Sequence, residues 1–197
     1  MNSTLKRIQD DAIRNDIPIM KDDGIAFLLD YIKDHEEIRD ILEVGTAVGY
    51  SAINFANIRW DMRVDTIEIN PSLVEVAENN FIACKVDDRV KCFNMDAMEY
   101  ESTKVYDLIF IDAAKSQYKK YLEHFYKNSR KGTVFVFDNL AFHGIVDNPE
   151  KSTNRSTLQM TRKIKKFREL LENDTRFDTK FYMEIGDGIA LSKRIID

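Results

Sequence analysis

The segment Asp107–Lys115, with the sequence DLIFIDAAK, decides the fold. Its four consecutive apolar residues lie between acidic ones, a pattern that predicts a strand buried on both faces, as in a parallel sheet. Asp112 stands where this strand ends, and Lys115 follows three residues later. Because ligands of open α/β sheets bind outside the carboxyl ends of the strands, we expect a functional site here.

The same pattern recurs at residues 131–139, where a glycine and the apolar run TVFVF are followed by Asp138 and Asn139. Two neighbouring strands that end in Asp112 and in Asp138-Asn139 would bring three oxygen ligands to one edge of the sheet. This set suits a hard cation such as magnesium. The alternative is that Asp112 and Asp138 only cap the turns that follow. The presence of both, with Lys115 nearby, favours the functional interpretation.

The length and composition are those of an ordinary globular chain. A chain of 197 residues can bury one large core, so we predict one domain over residues 1–197. No apolar run approaches the roughly 18 residues of a membrane span, and the N-terminus lacks the apolar region of a signal peptide. We therefore expect a cytoplasmic protein without a membrane partner, in which Cys84 and Cys92 are free thiols.

The charge of the chain is unevenly distributed. The net charge is −5, yet the segment 151–168 has seven basic residues and no acidic one. This predicts a basic face on an otherwise acidic protein, which is either a docking surface for a polyanion or a solvated helix face. The basic residues are Lys151, Arg155, Arg162, Lys163, Lys165, Lys166 and Arg168.

Alternating apolar runs and amphipathic segments predict an α/β fold. We expect a mostly parallel seven-stranded sheet with an antiparallel C-terminal hairpin and helices on both faces. Residues 1–35 hold two predicted helices that cover the active site or form a dimer interface. Later predicted helices span 116–129 and, after a long loop, 157–173. The predicted strands are 38–44, 63–69, 88–93, 108–111, 133–137, 177–184 and 189–195.

The first predicted strand leads into a glycine turn, GTAVG, at residues 45–49. Glu68 ends the second strand 23 residues after Gly45, the spacing at which an acid binds ribose hydroxyls in nucleotide-binding α/β folds. The alternative is a strand-end acid that faces solvent. Asp96, after the third strand, could accept a hydrogen bond from the exocyclic amine of an adenine. The sequence has no phosphate-binding P-loop, so these features favour S-adenosylmethionine, whose sulfonium suits the acidic edge of Glu43 and Asp112.

Four segments resemble the motifs of class I, S-adenosylmethionine-dependent and cation-dependent O-methyltransferases, the group of catechol and caffeoyl-CoA O-methyltransferases. They are EVGTAVGYS at 43–51, IEINP at 67–71, IDAAK at 111–115, and Asp138-Asn139. The segments 17–20, 112–118 and 138–144 are most similar to those of bacterial tRNA 5-hydroxyuridine methyltransferases. One departure concerns Ala114, which stands where the catechol enzyme has a tryptophan beside the metal.

The resemblance implies a Rossmann-like fold, a homodimer and a set of site residues. Asp112, Asp138 and Asn139 would hold Mg²⁺ or another divalent cation. Lys115 would act with Asp112 in catalysis, either as the base or electrostatically. The implied S-adenosylmethionine site comprises Met20, Glu43, Gly45, Gly49, Ser51, Glu68, Asp96, Ala97 and Asp112.

The implied reaction is methyl transfer to the 5-hydroxyl of 5-hydroxyuridine at the tRNA wobble position. This base presents a hydroxyl beside a carbonyl, and the pair can chelate a cation much as a catechol does. The segment 151–168 would meet the phosphates of the anticodon loop. His143, four residues after Asn139, either borders the substrate or has no part in the site. One alternative is a small catechol-like or phenolic acyl-CoA acceptor. Another is a nucleotide-binding module without catalysis.

Overall fold

The computed structural model describes residues 3–197, in which seven strands form one sheet. The strand order is β3-β2-β1-β4-β5-β7-β6. The two pairings of β7, with β5 and with β6, are antiparallel, and the other four pairings are parallel. This confirms the predicted architecture of a mostly parallel seven-stranded sheet with an antiparallel C-terminal hairpin. The strands are β1 (Asp40–Val44), β2 (Arg63–Glu68), β3 (Val90–Asn94), β4 (Leu108–Ile111), β5 (Val134–Phe137), β6 (Phe177–Tyr182) and β7 (Ile189–Arg194).

Helices flank the sheet, and two of them differ from the prediction. The predicted helix over 116–129 is split into a 3₁₀ turn at Lys115–Gln117, helix α5 and a 3₁₀ turn at Tyr126–Asn128. The predicted basic helix begins two residues earlier, because the Asn154 side chain accepts hydrogen bonds from the first turn. The helices are α1 (Ser3–Arg14), α2 (Asp22–Asp34), α3 (Tyr50–Ala56), α4 (Pro71–Cys84), α5 (Tyr118–Phe125) and α6 (Arg155–Asn173).

The central strand β4 is completely buried, as its sequence predicts. Since side chains alternate across a strand, Leu108 and Phe110 join the core on the side of α1–α4. Ile109 and Ile111 join the core on the side of α5 and α6. The sheet is therefore covered on both faces.

The strand order reverses between β1 and β4, which makes a crevice at their carboxyl ends. The segments that follow β1, β2, β4 and β5 all meet at this carboxyl edge. Within residues 3–197 no helix is both long enough and apolar enough to cross a membrane. Cys84 and Cys92 are free thiols, as expected.

Candidate active site

A cavity of about 440 Å³ opens at the carboxyl edge beside β1, β2 and β4. It is lined by the connector between α1 and α2, the glycine turn, and the residues after β2, β3 and β4. Lys115 lies on its wall. The structure thus brings together most of the predicted cofactor residues, namely Met20, Gly45, Ser51, Glu68, Asp96, Ala97 and Asp112.

The glycine turn is narrow and is fixed to both neighbouring strands. Gly45 has a φ of +104°, and a Cβ at this position would lie 2.3 Å from the backbone oxygen of Asp112. The backbone N–H of Gly45 donates to the Ile67 oxygen at 2.9 Å. Ala47 also has a positive φ, and its N–H donates to Glu68 Oε2 at 3.0 Å. Only glycine fits at position 45, where the backbone lies directly on the cavity.

Glu43 and Gly49 lie behind the cavity wall instead of on it. Glu43 is completely buried and accepts hydrogen bonds from the Ser51 hydroxyl and, at 2.5 Å, from that of Thr66. Burial raises the pKa of Glu43 to about 8. Gly49 begins α3, and a Cβ there would be 2.4 Å from the Phe81 ring. Glu43 is linked to the cavity through Ser51, and Gly49, at the end of the glycine turn, lets α4 pack closely against that turn.

Glu68 and Asp96 hold backbone groups as well as lining the cavity. Glu68 Oε2 is bonded to the glycine turn, and its Oε1 accepts from the Asn70 N–H at 2.9 Å. Asp96 Oδ1 caps the 3₁₀ turn Ala97–Glu99 by accepting from the Met98 N–H at 2.9 Å. Since each carboxylate oxygen can accept more than one hydrogen bond, capping leaves acceptor capacity for an adenosine ligand.

The two acids of the predicted cation site occupy adjacent positions on neighbouring strands. The register pairs Ile111 of β4 with Phe137 of β5, so Asp112 and Asp138 are the next residues on strands about 4.8 Å apart. The Asp112 N–H continues the ladder by donating to the Val44 oxygen at 3.0 Å. Asp138 is 2% exposed.

The electrostatics of these acids favour a bound cation. Burial raises the pKa of both carboxyls, and the charge of Asp112 raises that of Asp138 further. Lys115 Nζ, 3.8 Å from Asp112 Oδ1, offsets part of the negative charge. Asp138 is buried and Asp112 is half-buried, and when both are ionised beside one ammonium an excess of negative charge remains, which a divalent cation would neutralise.

The donor set also fits magnesium. Asn139 adopts a φ of +59°, and its N–H donates to Asp138 Oδ1 at 2.7 Å. No group of three or more His, Cys, Asp or Glu suited to a metal occurs in the described part of the chain. The third protein ligand that the sequence analysis expects is the Asn139 amide oxygen. Two carboxylates and an amide are the oxygen donors that Mg²⁺ accepts, with its remaining positions free for water or substrate.

Asp187, in the turn between β6 and β7, is a functional candidate that the sequence analysis missed. It is 5% exposed, and its Oδ1 accepts from the His143 N–H at 2.7 Å. The adjacent Gly186 accepts from Lys21 Nζ at 3.0 Å and donates to Asp23 Oδ2 at 2.9 Å. These five residues, the Asp187 clasp, tie the loop after Asn139 and the start of α2 to one turn. The only signal in the sequence was an acid between two glycines.

The basic segment lies at the same edge as the cavity. Helix α6 begins after the loop that follows Asn139, and it ends shortly before β6, which starts at the opposite edge of the sheet. The first turns of α6 are therefore at the carboxyl edge. It packs against the turn Lys115–Gln117. Arg168 is half-buried and donates to both oxygens of Asp147. The other six basic residues, Lys151, Arg155, Arg162, Lys163, Lys165 and Lys166, are exposed.

Comparisons with known proteins agree with this geometry. A family model described as O-methyltransferase matches residues 2–195. A catechol O-methyltransferase of Niastella koreensis is 29% identical over 79% of this chain and 73% of its own. The structure of a proposed caffeoyl-CoA O-methyltransferase from Staphylococcus aureus superposes with a TM-score of 0.92 at 32% identity, covering 98% of this chain and 93% of that one. The structure of an O-methyltransferase from Bacillus cereus in complex with SAH superposes with a TM-score of 0.82 at 27% identity, covering 98% of this chain and 91% of that one.

Proposed function

Since the chain belongs to the O-methyltransferase family and uses S-adenosylmethionine, we propose that it methylates the 5-hydroxyl of 5-hydroxyuridine at the tRNA wobble position. The product would be 5-methoxyuridine. The observation that carries this proposal is the exposed basic face of α6 at the sheet edge that holds Lys115 and Asp138. A small phenol needs no such face, whereas an RNA substrate brings phosphates that basic residues bind without reading the sequence.

The rim of the site has room for a nucleotide base. Ala114 is exposed beside Lys115 and carries only a methyl group. A wobble base lies in a single-stranded loop, so it can be turned out of the stack into the cavity without opening a duplex. The 5-hydroxyl and the 4-carbonyl of the base would then face the acids at the ends of β4 and β5.

The residues of the chain divide the chemistry between them. The cavity residues hold the adenosine and align the methyl donor with the acceptor oxygen, which lowers the entropic cost of the displacement. Asp112, Asp138 and Asn139 would hold a divalent cation, which would lower the pKa of the reacting hydroxyl. Lys115, on the wall of the same cavity, would act either as the base, with its amine neutral, or as an ammonium that stabilises the oxyanion while water takes the proton.

A second candidate acceptor is a small catechol or a phenolic acyl-CoA. The relatives favour it, because they include a catechol O-methyltransferase and a proposed caffeoyl-CoA O-methyltransferase. Their identities to this chain are 29% and 32%, a level at which family members can differ in substrate. The candidates share the proposed cation site. A catechol has no need for the basic face of α6, whereas the phosphates of an acyl-CoA, like those of an RNA, would meet basic residues.

A competition between acceptors tests the proposal. The protein is incubated with S-adenosylmethionine and Mg²⁺ together with an anticodon stem-loop RNA containing 5-hydroxyuridine, catechol and caffeoyl-CoA, and the products are measured by mass spectrometry. We expect 5-methoxyuridine to be the main product and to disappear with chelator. Methylation of the phenols alone would favour the second candidate. Full activity in chelator would contradict the role of the cation.

A further inference from the structure

We propose that a second cavity, between α6 and the loop 140–154, binds a phosphate-bearing nucleotide next to the methylated base. The inference rests on the proposed RNA substrate. The cavity has a volume of about 290 Å³. One wall is apolar, formed by Val146, Pro149 and Leu158, and the helix adds Arg162 and Lys165.

The charges in this cavity leave two cations for a ligand. Asp147 also lines it, but Arg168 Nη1 donates to both Asp147 oxygens, at 2.9 and 3.0 Å, which neutralises that acid. Arg162 and Lys165 are exposed and, three residues apart, are neighbours on the helix surface. Neither forms an ion pair with any residue between 3 and 197. The cavity therefore favours an anion.

The combination of an apolar wall and two cations points to a nucleotide. A guanidinium can bind a phosphate through two parallel hydrogen bonds, and the ammonium of Lys165 adds a third. The ribose or base of the same nucleotide can then cover Val146, Pro149 and Leu158. Inorganic phosphate would use the cations and leave the apolar wall exposed, so the two ligands make different use of Leu158.

The position of the cavity suits a nucleotide that flanks the acceptor base. Phe167 of α6 packs on the Tyr118 ring at 5.5 Å, and the Tyr118 hydroxyl donates to the Asp138 backbone oxygen at 2.7 Å. Arg162 precedes Phe167 by five residues, about 7.5 Å along the helix towards the carboxyl edge. The loop that forms the other wall begins directly after Asn139. One RNA loop can thus reach both cavities.

Binding of a fluorescein-labelled anticodon stem-loop RNA to the full chain tests the inference by anisotropy. The double variant Arg162→Ala/Lys165→Ala removes the two cavity cations. Its matched control, Lys163→Ala/Lys166→Ala, removes the same charge from exposed positions of the same helix that do not line the cavity. We expect the Kd to rise about tenfold or more for the cavity variant and less than about threefold for the control. Leu158→Asn, without a charge change, should also weaken RNA binding, and it should leave competition by inorganic phosphate unchanged.

Three outcomes separate this inference from the proposed function. If RNA affinity fell equally in the two double variants, or in neither, the cavity would not be the binding site of a nucleotide. The proposed methylation of RNA would be unaffected by that result. RNA binding that depends on Arg162 and Lys165 without methylation of 5-hydroxyuridine would support the cavity and overturn the proposed acceptor. If Leu158→Asn bound the RNA as tightly as the wild type, the cavity would bind only a phosphate group, and the proposal of a nucleotide ligand would be wrong. The KM for S-adenosylmethionine should be the same in all variants.

Discussion

Gly45 and Asp112 are in direct backbone contact across the gap between β1 and β4, so close that a Cβ on Gly45 would lie 2.3 Å from the Asp112 oxygen. Gly45 belongs to the turn that lines the cofactor cavity. Asp112 lines the same cavity and is also one of the acids of the proposed cation site. The contact therefore fixes the distance between the cofactor cavity and the acids of the proposed cation site. A change at Gly45 should disturb both.

We expect Gly45→Ala to lower the free energy of unfolding by about 3 kcal/mol, because it combines a strained positive φ with overpacking. It should also abolish S-adenosylmethionine binding in calorimetry. Gly132→Ala is the matched control, since Gly132 has a φ of +97° and a Cβ added there would meet no atom within 4 Å. Gly132→Ala should lower the free energy of unfolding, measured by urea denaturation, by about 1 kcal/mol, and it should leave cofactor binding intact. Equal costs for the two variants would contradict the importance of the contact.

Asp138 should be needed for turnover but not for cofactor binding. Asp138 is adjacent to Asp112 yet does not line the cofactor cavity, whereas Asp112 does. Asp138→Ala is expected to reduce kcat by on the order of 10²-fold or more, while the Kd for S-adenosylmethionine changes less than about threefold. Asp112→Ala should lose both. If Asp138→Ala weakened cofactor binding as much as turnover, the two roles would not be separate.

The buried Glu43 should make stability depend on pH. Its pKa in the folded protein, about 8, lies above the ordinary 4.5 because of burial. Between these values the folded protein binds more protons than the unfolded chain, so the free energy of unfolding falls as the pH rises from 4.5 to 8. Glu43→Gln removes this contribution, and from about pH 5 to about pH 8 its free energy of unfolding should fall by about 3 kcal/mol less than that of the wild type. Parallel pH profiles in urea denaturation would refute this.

The Asp187 clasp should control the acceptor side of the site. In Asp187→Ala the His143 N–H loses its acceptor, which costs about 1–3 kcal/mol and frees the loop after Asn139. We expect faster hydrogen exchange in residues 140–148 and a KM for the acceptor about tenfold higher, with an unchanged Kd for S-adenosylmethionine. Asp187→Asn keeps an acceptor oxygen and should be close to wild type. A rise in the cofactor Kd in Asp187→Ala would argue for general damage instead.

The sequence predicts the parts of the site that are local to one strand end. Asp112 and Asp138 could be found because each follows a buried strand, and parallel strands end at one edge. Glu43 precedes a glycine turn and was expected to touch the cofactor. The structure turns it towards Ser51 of α3 and Thr66 of β2, and this depends on where these two elements pack against β1.

Other features depend on contacts between distant segments. Asp187 was assigned only to a hairpin turn, since nothing near it in the chain indicates that this turn meets His143 and the start of α2. The early start of α6 depends on the Asn154 cap, which the pattern of apolar residues does not reveal. Tertiary contacts and caps were thus the parts that periodicity could not supply.

The hydrogen bond between Asp23 and Gly186 joins residues 163 positions apart in the chain. Contacts of such long range form late in folding, after the strands between them have paired. They also break at lower cost than the central strands, because they lie at the surface and bury little apolar area. We therefore expect the rim of the site to open and close while the sheet stays intact, so that a bulky acceptor can enter without unfolding the cofactor cavity.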